Sequence, residues 1–171
     1  MPHVLPRLTR LAKDYLGEDA ELTLYKGSEA TAYRLPATMP EHWDRVYPSG
    51  HWHHDRCGRR LKAIVFLQRV DEETHPTLVA AGSHETLYWG HGEFSVSRFS
   101  DRFVERSYRP VAMTGELGEG FVFDTNSVHR ANVKGSKGRQ TLVFEFNPRG
   151  KAKVLDQSPC GYQNMTKGSS R

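Results

Sequence analysis

Apolar side chains recur every three or four residues over residues 4–17, which predicts an amphipathic helix that ends at Gly17. From residue 21 onward, apolar and polar positions alternate in short runs, which is typical of β-strands. The predicted strands cover residues 21–25, 30–35, 61–70, 77–81, 111–114, 120–124, 128–133 and 139–147. Many short strands, glycine-rich turns and one N-terminal helix predict an all-β fold of the sandwich or jelly-roll type.

Three segments do not fit this pattern of strands. Residues 36–50 contain three prolines and a terminal glycine and are predicted to form a loop. Residues 85–110 are aromatic and irregular, and long segments of this kind inside a domain are usually lids or binding loops. Residues 149–171 are polar and small and are expected to form a loosely held tail, so we predict a single domain over residues 1–148.

The composition of the chain bears on the cellular compartment that we expect for the protein. The 171 residues include 37% hydrophobic ones but no apolar stretch long enough for a transmembrane helix, and the N-terminus shows no signal-peptide pattern. The two cysteines, Cys57 and Cys160, lie far apart and form no metal-type pair. A reduced, cytoplasmic protein without a membrane partner is therefore expected.

The basic charge is modest, with a net charge of +4 and a pI of about 9.1. Basic residues do cluster beside the histidine-rich segment at Arg56, Arg59, Arg60 and Lys62. A nucleic-acid surface would need interleaved aromatic residues as well. We therefore expect solvated or cosubstrate-facing side chains at this cluster, and no nucleic-acid partner.

The segment Trp52-His53-His54-Asp55 carries the most specific chemical signal in the chain. In an extended strand, His53 and Asp55 point to the same side and His54 points to the other. Together with the remote His129, they supply two imidazoles and one carboxylate, the ligand set that leaves metal positions open in non-haem iron oxygenases. Arg139 follows ten residues after His129 and adds a cation that could hold a dicarboxylate beside the metal.

The glycine-rich turn at residues 134–138 predicts a β-hairpin centred on Ser136. In that register Val133 faces Arg139 and His129 faces Val143. Arg139 and Thr141 would then share the face of His129. The opposite face of the strand would pack its apolar side chains (Leu142, Phe144 and Phe146) under the N-terminal helix.

These residues, in this order, resemble the phytanoyl-CoA dioxygenase family of Fe(II)/2-oxoglutarate-dependent oxygenases. Residues 52–55 look like that family's Trp-His-x-Asp, and residues 75–84 are similar to its signature that ends in Gly-Ser-His. Residues 120–130 resemble the strand-loop-strand that delivers its distal histidine. Arg139 and Thr141 look like its Arg-x-Ser/Thr. The resemblance covers roughly residues 8–148, and four motifs in the right order are far more specific than any one of them.

The resemblance implies a double-stranded β-helix, another name for this jelly roll. It also implies a site in which His53, Asp55 and His129 hold Fe(II) while Arg139 and Thr141 hold the cosubstrate 2-oxoglutarate. The reaction would use O2, hydroxylate a small molecule, and release succinate and CO2. The chain departs from the pattern at Ala81, where the family signature has proline, and it begins nearly at the family's helix, like a short member.

Several nearby residues carry weaker hypotheses. His51 and His54 are expected to be neighbours of the site or surface groups and not ligands, and Cys57 is expected to be a small packing residue. Arg59 and Lys62 are candidates for orienting the cosubstrate. A basic set within the irregular segment, which favours an acidic or phosphorylated substrate, comprises Arg98, Arg102, Arg106 and Arg109.

Three other functions remain open from the residues. A cupin-like metalloenzyme could use the same three ligands without 2-oxoglutarate, although it would not need Arg139. A catalytically silent binding module could be built on the same barrel. Nucleic-acid demethylation is disfavoured because such enzymes usually carry a second arginine six residues after the first, where this chain has Glu145.

Overall fold

The computed structural model describes residues 4–23, 31–37, 48–55, 60–84 and 98–149, with only the backbone at 31–33 and 48. Its elements in chain order are α1 (Val4–Leu16), β1 (Ala20–Leu22), β2 (Thr31–Leu35), β3 (Trp52–His53), β4 (Leu61–Phe66), β5 (Thr77–Ala81), β6 (Arg98–Phe99), α2 (Asp101–Ser107), β7 (Arg109–Met113), β8 (Gly120–Asp124), β9 (His129–Ala131) and β10 (Arg139–Pro148). Short 3-10 helices lie at Pro48–Gly50 and Glu72–Thr74.

In the described part of the chain, the strands form two antiparallel sheets of five strands each. Sheet A has the order β1-β10-β4-β8, with β2 also paired to β10, and sheet B has the order β6-β3-β9-β5-β7. This architecture confirms the predicted all-β jelly roll with an N-terminal helix. The apolar run from residue 61 is a central strand as expected, because β4 lies between β10 and β8.

The helix α1 covers the outer face of sheet A. It ends at Gly17, which adopts a φ of +114° and donates its N–H to the carbonyl of Lys13. Apolar side chains from the helix and the sheet form one core cluster, which includes Ala12, Leu61, Ala63, Phe144 and Phe146. The apolar face predicted for β10 therefore does pack under the helix.

The outer face of sheet B is covered by α2, which corrects the prediction that all of residues 85–110 are irregular. Ser100 caps this helix by accepting a hydrogen bond from the N–H of Phe103. Val104 is completely buried against Trp52 and Ala80 of the sheet. The sequence signal was present in Ser100 and the apolar pair at 103–104, but two apolar positions are too few to predict a helix of seven residues. Residues 85–97 lie outside the described part of the chain.

Each sheet has an inner face, which is turned toward the other sheet. Paired residues on adjacent antiparallel strands share a face. His53 pairs with His129, which pairs with Val79, so these three side chains lie on the inner face of sheet B. On sheet A, the inner face carries alternate residues of β4, β8 and β10: Lys62, Ile64, Phe66, Phe121, Phe123, Arg139, Thr141, Val143 and Glu145.

The predicted hairpin between His129 and Arg139 is wrong. The strand β9 belongs to sheet B and β10 belongs to sheet A, so Val133 does not face Arg139 and His129 does not face Val143. The turn instead lies on the 3-10 helix, where the N–H groups of Ser136 and Lys137 both donate to the carbonyl of Glu73. A Cβ at Gly135 would lie 2.5 Å from that same oxygen, so the close approach requires glycine. A glycine-rich turn permits either a hairpin or a crossing between sheets, and the tertiary contact decides.

Candidate metal centre

Three side chains from two separate parts of the chain converge between the sheets. The Nε2 atom of His53 lies 3.9 Å from Oδ1 of Asp55, and Nε2 of His129 lies 4.0 Å from the same oxygen. One ligand atom from each residue lies within 4.8 Å of the others. The structure thus brings together all three residues that the sequence singled out.

Backbone hydrogen bonds fix the orientation of both imidazoles. The Nδ1 atom of His53 lies 2.7 Å from the carbonyl of His51, and Nδ1 of His129 lies 2.8 Å from the carbonyl of Ser127. Because a carbonyl only accepts, each Nδ1 carries the proton and donates it. Each Nε2 then keeps its lone pair and lies 3.9 or 4.0 Å from Oδ1 of Asp55, and an unprotonated Nε2 is what a metal-binding histidine needs.

Electrostatics favour the metal-binding protonation state of each group. Burial lowers the pKa of His129 to about 3, although Asp55 opposes this shift, and burial likewise lowers the pKa of His53. Burial would raise the pKa of Asp55, but the ammonium group of Lys62 and the guanidinium of Arg60 hold it well below its ordinary range. At neutral pH the site therefore presents two neutral imidazoles and one carboxylate.

This donor set fits a divalent metal ion. Nitrogen and oxygen ligands lie about 2.0–2.2 Å from such an ion, so two ligands of one ion are at most about 4.4 Å apart. The two separations from Oδ1 of Asp55, 3.9 and 4.0 Å, fall within that limit, and all three ligand atoms lie within 4.8 Å of one another. Among the residues that the structure describes, this group offers three ligand atoms, which leaves positions for other ligands, as in non-haem iron sites.

Arg139 approaches the same chamber from sheet A. Its side chain is buried, and it donates from an Nη atom to Oγ1 of Thr77 at 3.2 Å. Thr77 lies two residues from Val79, the cross-strand partner of His129, on the inner face of sheet B. Two residues of strand span about 7 Å. The guanidinium therefore lies on the inner side of sheet B, two strand positions from the residue that pairs with His129, and the buried Thr141 lies on the same face of β10 as Arg139.

The weaker candidates from the sequence have different places. His51 accepts a hydrogen bond from His53 with its backbone carbonyl, and His54 is buried against Phe99. Lys62 binds Asp55 with an Nζ–Oδ2 distance of 2.7 Å, so it contacts the carboxylate ligand. Cys57 and Arg59 lie outside the described residues, as do Cys160 and all of the predicted tail except Arg149.

Sequence reasoning missed the parts played by Arg60 and Glu145. The side chain of Arg60 contacts both Asp55 and Glu145, at 3.3 and 2.8 Å. A signal for Glu145 existed, because it shares the alternating face of Arg139 and Thr141. Its partners could not be found in that way, since they lie on or beside β4, which is far from β10 along the chain.

The four arginines predicted to form a basic lid separate in the fold. Arg98 is the cross-strand partner of His53 and shares its inner face, where its charge lowers the pKa of the imidazole. Arg102 and Arg106 belong to α2, on the outer side of sheet B, and Arg109 begins the edge strand β7. Arg98 is thus the member of this set nearest to the candidate metal site.

Comparisons with known proteins support the fold. No protein-family model and no curated protein matches the chain. Among solved structures, EvdO2 from Micromonospora carbonacea var. aurantiaca complexed with 2-oxoglutarate is 20% identical with a TM-score of 0.53, covering 85% of this chain and 60% of its own. HygX from Streptomyces hygroscopicus, with nickel, 2-oxoglutarate and hygromycin B bound, is 12% identical with a TM-score of 0.54, and the match covers 84% of this chain and 62% of HygX.

A third solved structure is the nickel complex of ThoJ, described as a non-heme monooxygenase. It is 15% identical with a TM-score of 0.52, covering 84% of this chain and 50% of its own. The chain therefore spans between half and about three fifths of the length of these three structures. They show that it has the fold of a group that includes 2-oxoglutarate-binding proteins and a non-haem oxygenase.

The described residues contain no membrane-spanning helix, because none of their helices combines the necessary length with the necessary hydropathy.

Proposed function

We propose that this protein is an Fe(II)- and 2-oxoglutarate-dependent dioxygenase that hydroxylates a small molecule. The convergence of two Nε2 atoms and one carboxylate oxygen between the sheets, at His53, His129 and Asp55, carries the proposal. The fold shared with 2-oxoglutarate-bound structures supports it. The jelly roll of residues 1–148 would be the catalytic domain, and the cytoplasm, where thiols stay reduced, would be its location.

The residues of the candidate site have separate roles in this proposal. His53, Asp55 and His129 hold the metal, and the backbone carbonyls of His51 and Ser127 fix the two rings. Arg139 pairs with the distal carboxylate of 2-oxoglutarate, and Thr141 donates a hydrogen bond to it. Bound iron, 2-oxoglutarate and O2 supply the oxidising power, and one C–H bond becomes C–OH as succinate and CO2 are released.

For the substrate, we infer a small molecule with an acidic group. Arg98 is exposed at the edge of sheet B, directly beside His53 and on the same face. Cα atoms of such cross-strand partners lie about 4.5–5.5 Å apart. An anion held by Arg98 would therefore lie close to the metal, with its carbon skeleton within reach of the oxidant.

The test is succinate formation by the protein loaded anaerobically with Fe(II) and supplied with 2-oxoglutarate, ascorbate and air. The substrate panel pairs each carboxylic or phosphoric acid with its neutral ester or amide. We expect turnover with wild type, preferentially for acids, and at least a 100-fold loss in His53→Ala and in Asp55→Ala. His54→Ala is the matched control, because that neighbouring ring is outside the ligand set.

Two alternatives make different forecasts in the same assay. A cupin-like metalloenzyme would bind metal without any response to 2-oxoglutarate. A silent binding module would bind metal and 2-oxoglutarate without forming succinate, even in the slow uncoupled reaction that lacks substrate. Full activity in either alanine variant would remove that residue from the metal centre and contradict the proposal.

A further inference from the structure

Four charged side chains form a closed ring of alternating sign beside the candidate metal centre. Asp55 Oδ2 lies 2.7 Å from Nζ of Lys62, which lies 4.0 Å from Glu145. Glu145 lies 2.8 Å from Arg60, which returns to Asp55 Oδ2 at 3.3 Å. We call these four residues the charge ring. Two positive and two negative charges cancel, so it can be partly buried at a lower cost than an isolated ion.

The charge ring uses only one of the two oxygens of Asp55. Both cations contact Oδ2, whereas the measured separations to the two imidazoles involve Oδ1. Because two cations already contact Oδ2, a metal ion bound by both oxygens would have to share Oδ2 with them, and the repulsion between like charges disfavours that arrangement. The charge ring thus leaves Oδ1 of Asp55 as the oxygen that would bind the metal.

The ring is built on a rigid support. The backbone of Thr125 accepts from the N–H of Asp55 and donates to the carbonyl of Arg60, and its hydroxyl accepts from Nε of Arg60. Glu145 accepts a further hydrogen bond from Asn147. Lys62 and Glu145 are cross-strand partners on β4 and β10. Sheet A therefore holds the carboxylate that completes a site built mostly on sheet B.

We propose that Lys62 is a positioning residue that keeps Asp55 a one-oxygen ligand and so preserves the three open metal positions that 2-oxoglutarate and O2 need together. The inference rests on the proposed function. On a six-coordinate ion, three protein atoms leave three positions, two for 2-oxoglutarate and one for O2. A carboxylate that chelates through both oxygens would take one of these three, so 2-oxoglutarate and O2 could not bind together. A metal already bound by four protein atoms would also hold 2-oxoglutarate less tightly. Lys62 is thereby assigned a task that the metal ligands cannot perform themselves.

The test uses the full chain loaded with Ni²⁺, which is redox-inert, and compares Lys62→Met, Lys62→Arg and Glu145→Gln with wild type. Calorimetry gives the affinities for Ni²⁺ and for 2-oxoglutarate. Infrared difference spectra with ¹³C-carboxyl aspartate report how Asp55 binds, because the two carboxylate stretches move closer together on two-oxygen chelation. Lys13→Met is the matched control, since Lys13 makes an exposed ion pair on α1.

We expect Lys62→Met to retain Ni²⁺, to bind 2-oxoglutarate about 10-fold more weakly or worse, and to show the two-oxygen spectrum. Lys62→Arg should restore both readouts, and Lys13→Met should change neither. Glu145→Gln separates positioning from charge: it should keep the one-oxygen spectrum, although it makes the site more positive.

Wild-type spectra and wild-type 2-oxoglutarate affinity in Lys62→Met would overturn this inference alone. A wild-type protein that binds no Ni²⁺ would overturn the proposed function and this inference together. Weaker 2-oxoglutarate binding in Lys62→Met with an unchanged one-oxygen spectrum would reduce Lys62 to a charge effect and contradict positioning.

Discussion

Individual side chains in the site are held in states that water would not favour. His129 is 7% exposed, and its imidazole stays neutral because charging it there would require desolvating a cation. Asp55 is kept ionised by the cations around it, despite burial that works in the opposite direction. Both states favour metal binding, and both make the metal-free protein sensitive to acid.

The metal-free protein should lose stability as the pH falls. His129 titrates near 6.5 when unfolded and near 3 when folded, so below pH 6.5 the unfolded chain binds a proton that the folded one does not. This group should cost about 2 kcal/mol of unfolding free energy between pH 7 and pH 5, and His53 should act in the same direction. Asp55 should contribute only near and below its ordinary pKa of 3.8.

Urea denaturation of the metal-free protein at pH 7 and pH 5 measures this dependence. His129→Gln should be less sensitive to pH than wild type, whereas His84→Gln, at a partly exposed position, serves as the control. An equal loss in His129→Gln and wild type would mean that other groups account for the acid sensitivity.

At the scale of single residues, much could be predicted from the sequence, because ligand types and strand alternation are local properties. The alternation of residues 52–55 is sufficient to predict that His53 and Asp55 face the same way, although Asp55 lies two residues beyond the end of β3. The functional roles of those residues, and of Arg139 and Thr141, stay predictions until metal and cosubstrate are measured. The charge ring could not be predicted, since Arg60 and Glu145 meet only when β4 pairs with β10.

At the scale of secondary-structure elements, one face of a strand contributes to the stability of the fold and the other face contributes to the candidate site. In β10, Phe144 and Phe146 point outward to the helix α1, while Arg139, Thr141 and Glu145 point inward. One strand thus contributes alternate residues to a hydrophobic core and to the chamber. Substitutions on the outer face should therefore change stability without changing the geometry of the chamber.

Phe146→Ala tests this division. Phe146 is 1% exposed in the core under α1, and truncation of a buried phenylalanine typically costs about 3–5 kcal/mol. We expect a loss of this size in urea denaturation, with Ni²⁺ affinity retained under conditions where the variant is folded. Val122→Ala, at a position that is 36% exposed, is the control. A cost below about 1 kcal/mol would place little of the stability in this core.

The existence of most elements followed from the pattern, whereas the helix α2, the strand β6 and the pairing of the strands did not. The helix α1 and the strand β5 agree closely with their predicted ranges because their apolar spacing is clear. The hairpin between residues 129 and 147 failed because alternation identifies the faces of a strand but not its partner. The strand β9 pairs with β3 and β5, both distant in sequence, and leaves β10 to the other sheet.

The whole molecule places the two halves of the candidate site on different sheets. His53 and His129 belong to sheet B, with Asp55 just after β3, and Arg139 belongs to sheet A. A metal would therefore stabilise mainly one sheet, whereas 2-oxoglutarate bound to both the metal and Arg139 would link the two sheets.

Thermal denaturation should show this linkage. Ni²⁺ alone should raise the Tm, and 2-oxoglutarate at 100 times its Kd should add about 2.7 kcal/mol, roughly 5–10 °C for a domain of this size. Arg139→Gln should keep the Ni²⁺ increment and lose most of the 2-oxoglutarate increment. Gln140→Ala, at an exposed neighbouring position, is the control. A full 2-oxoglutarate increment in Arg139→Gln would place the cosubstrate elsewhere.

The sequence by itself determined the fold class, the helix on its outer face and the residue types that could bind a metal, because these depend on periodicity and on side-chain chemistry. Tertiary structure alone decided which strands pair, that the chain crosses between sheets at residues 134–138, and that Lys62, Arg60 and Glu145 surround Asp55. Pairing between distant strands is set by the packing free energy of the whole core, and a local sequence pattern does not determine that free energy.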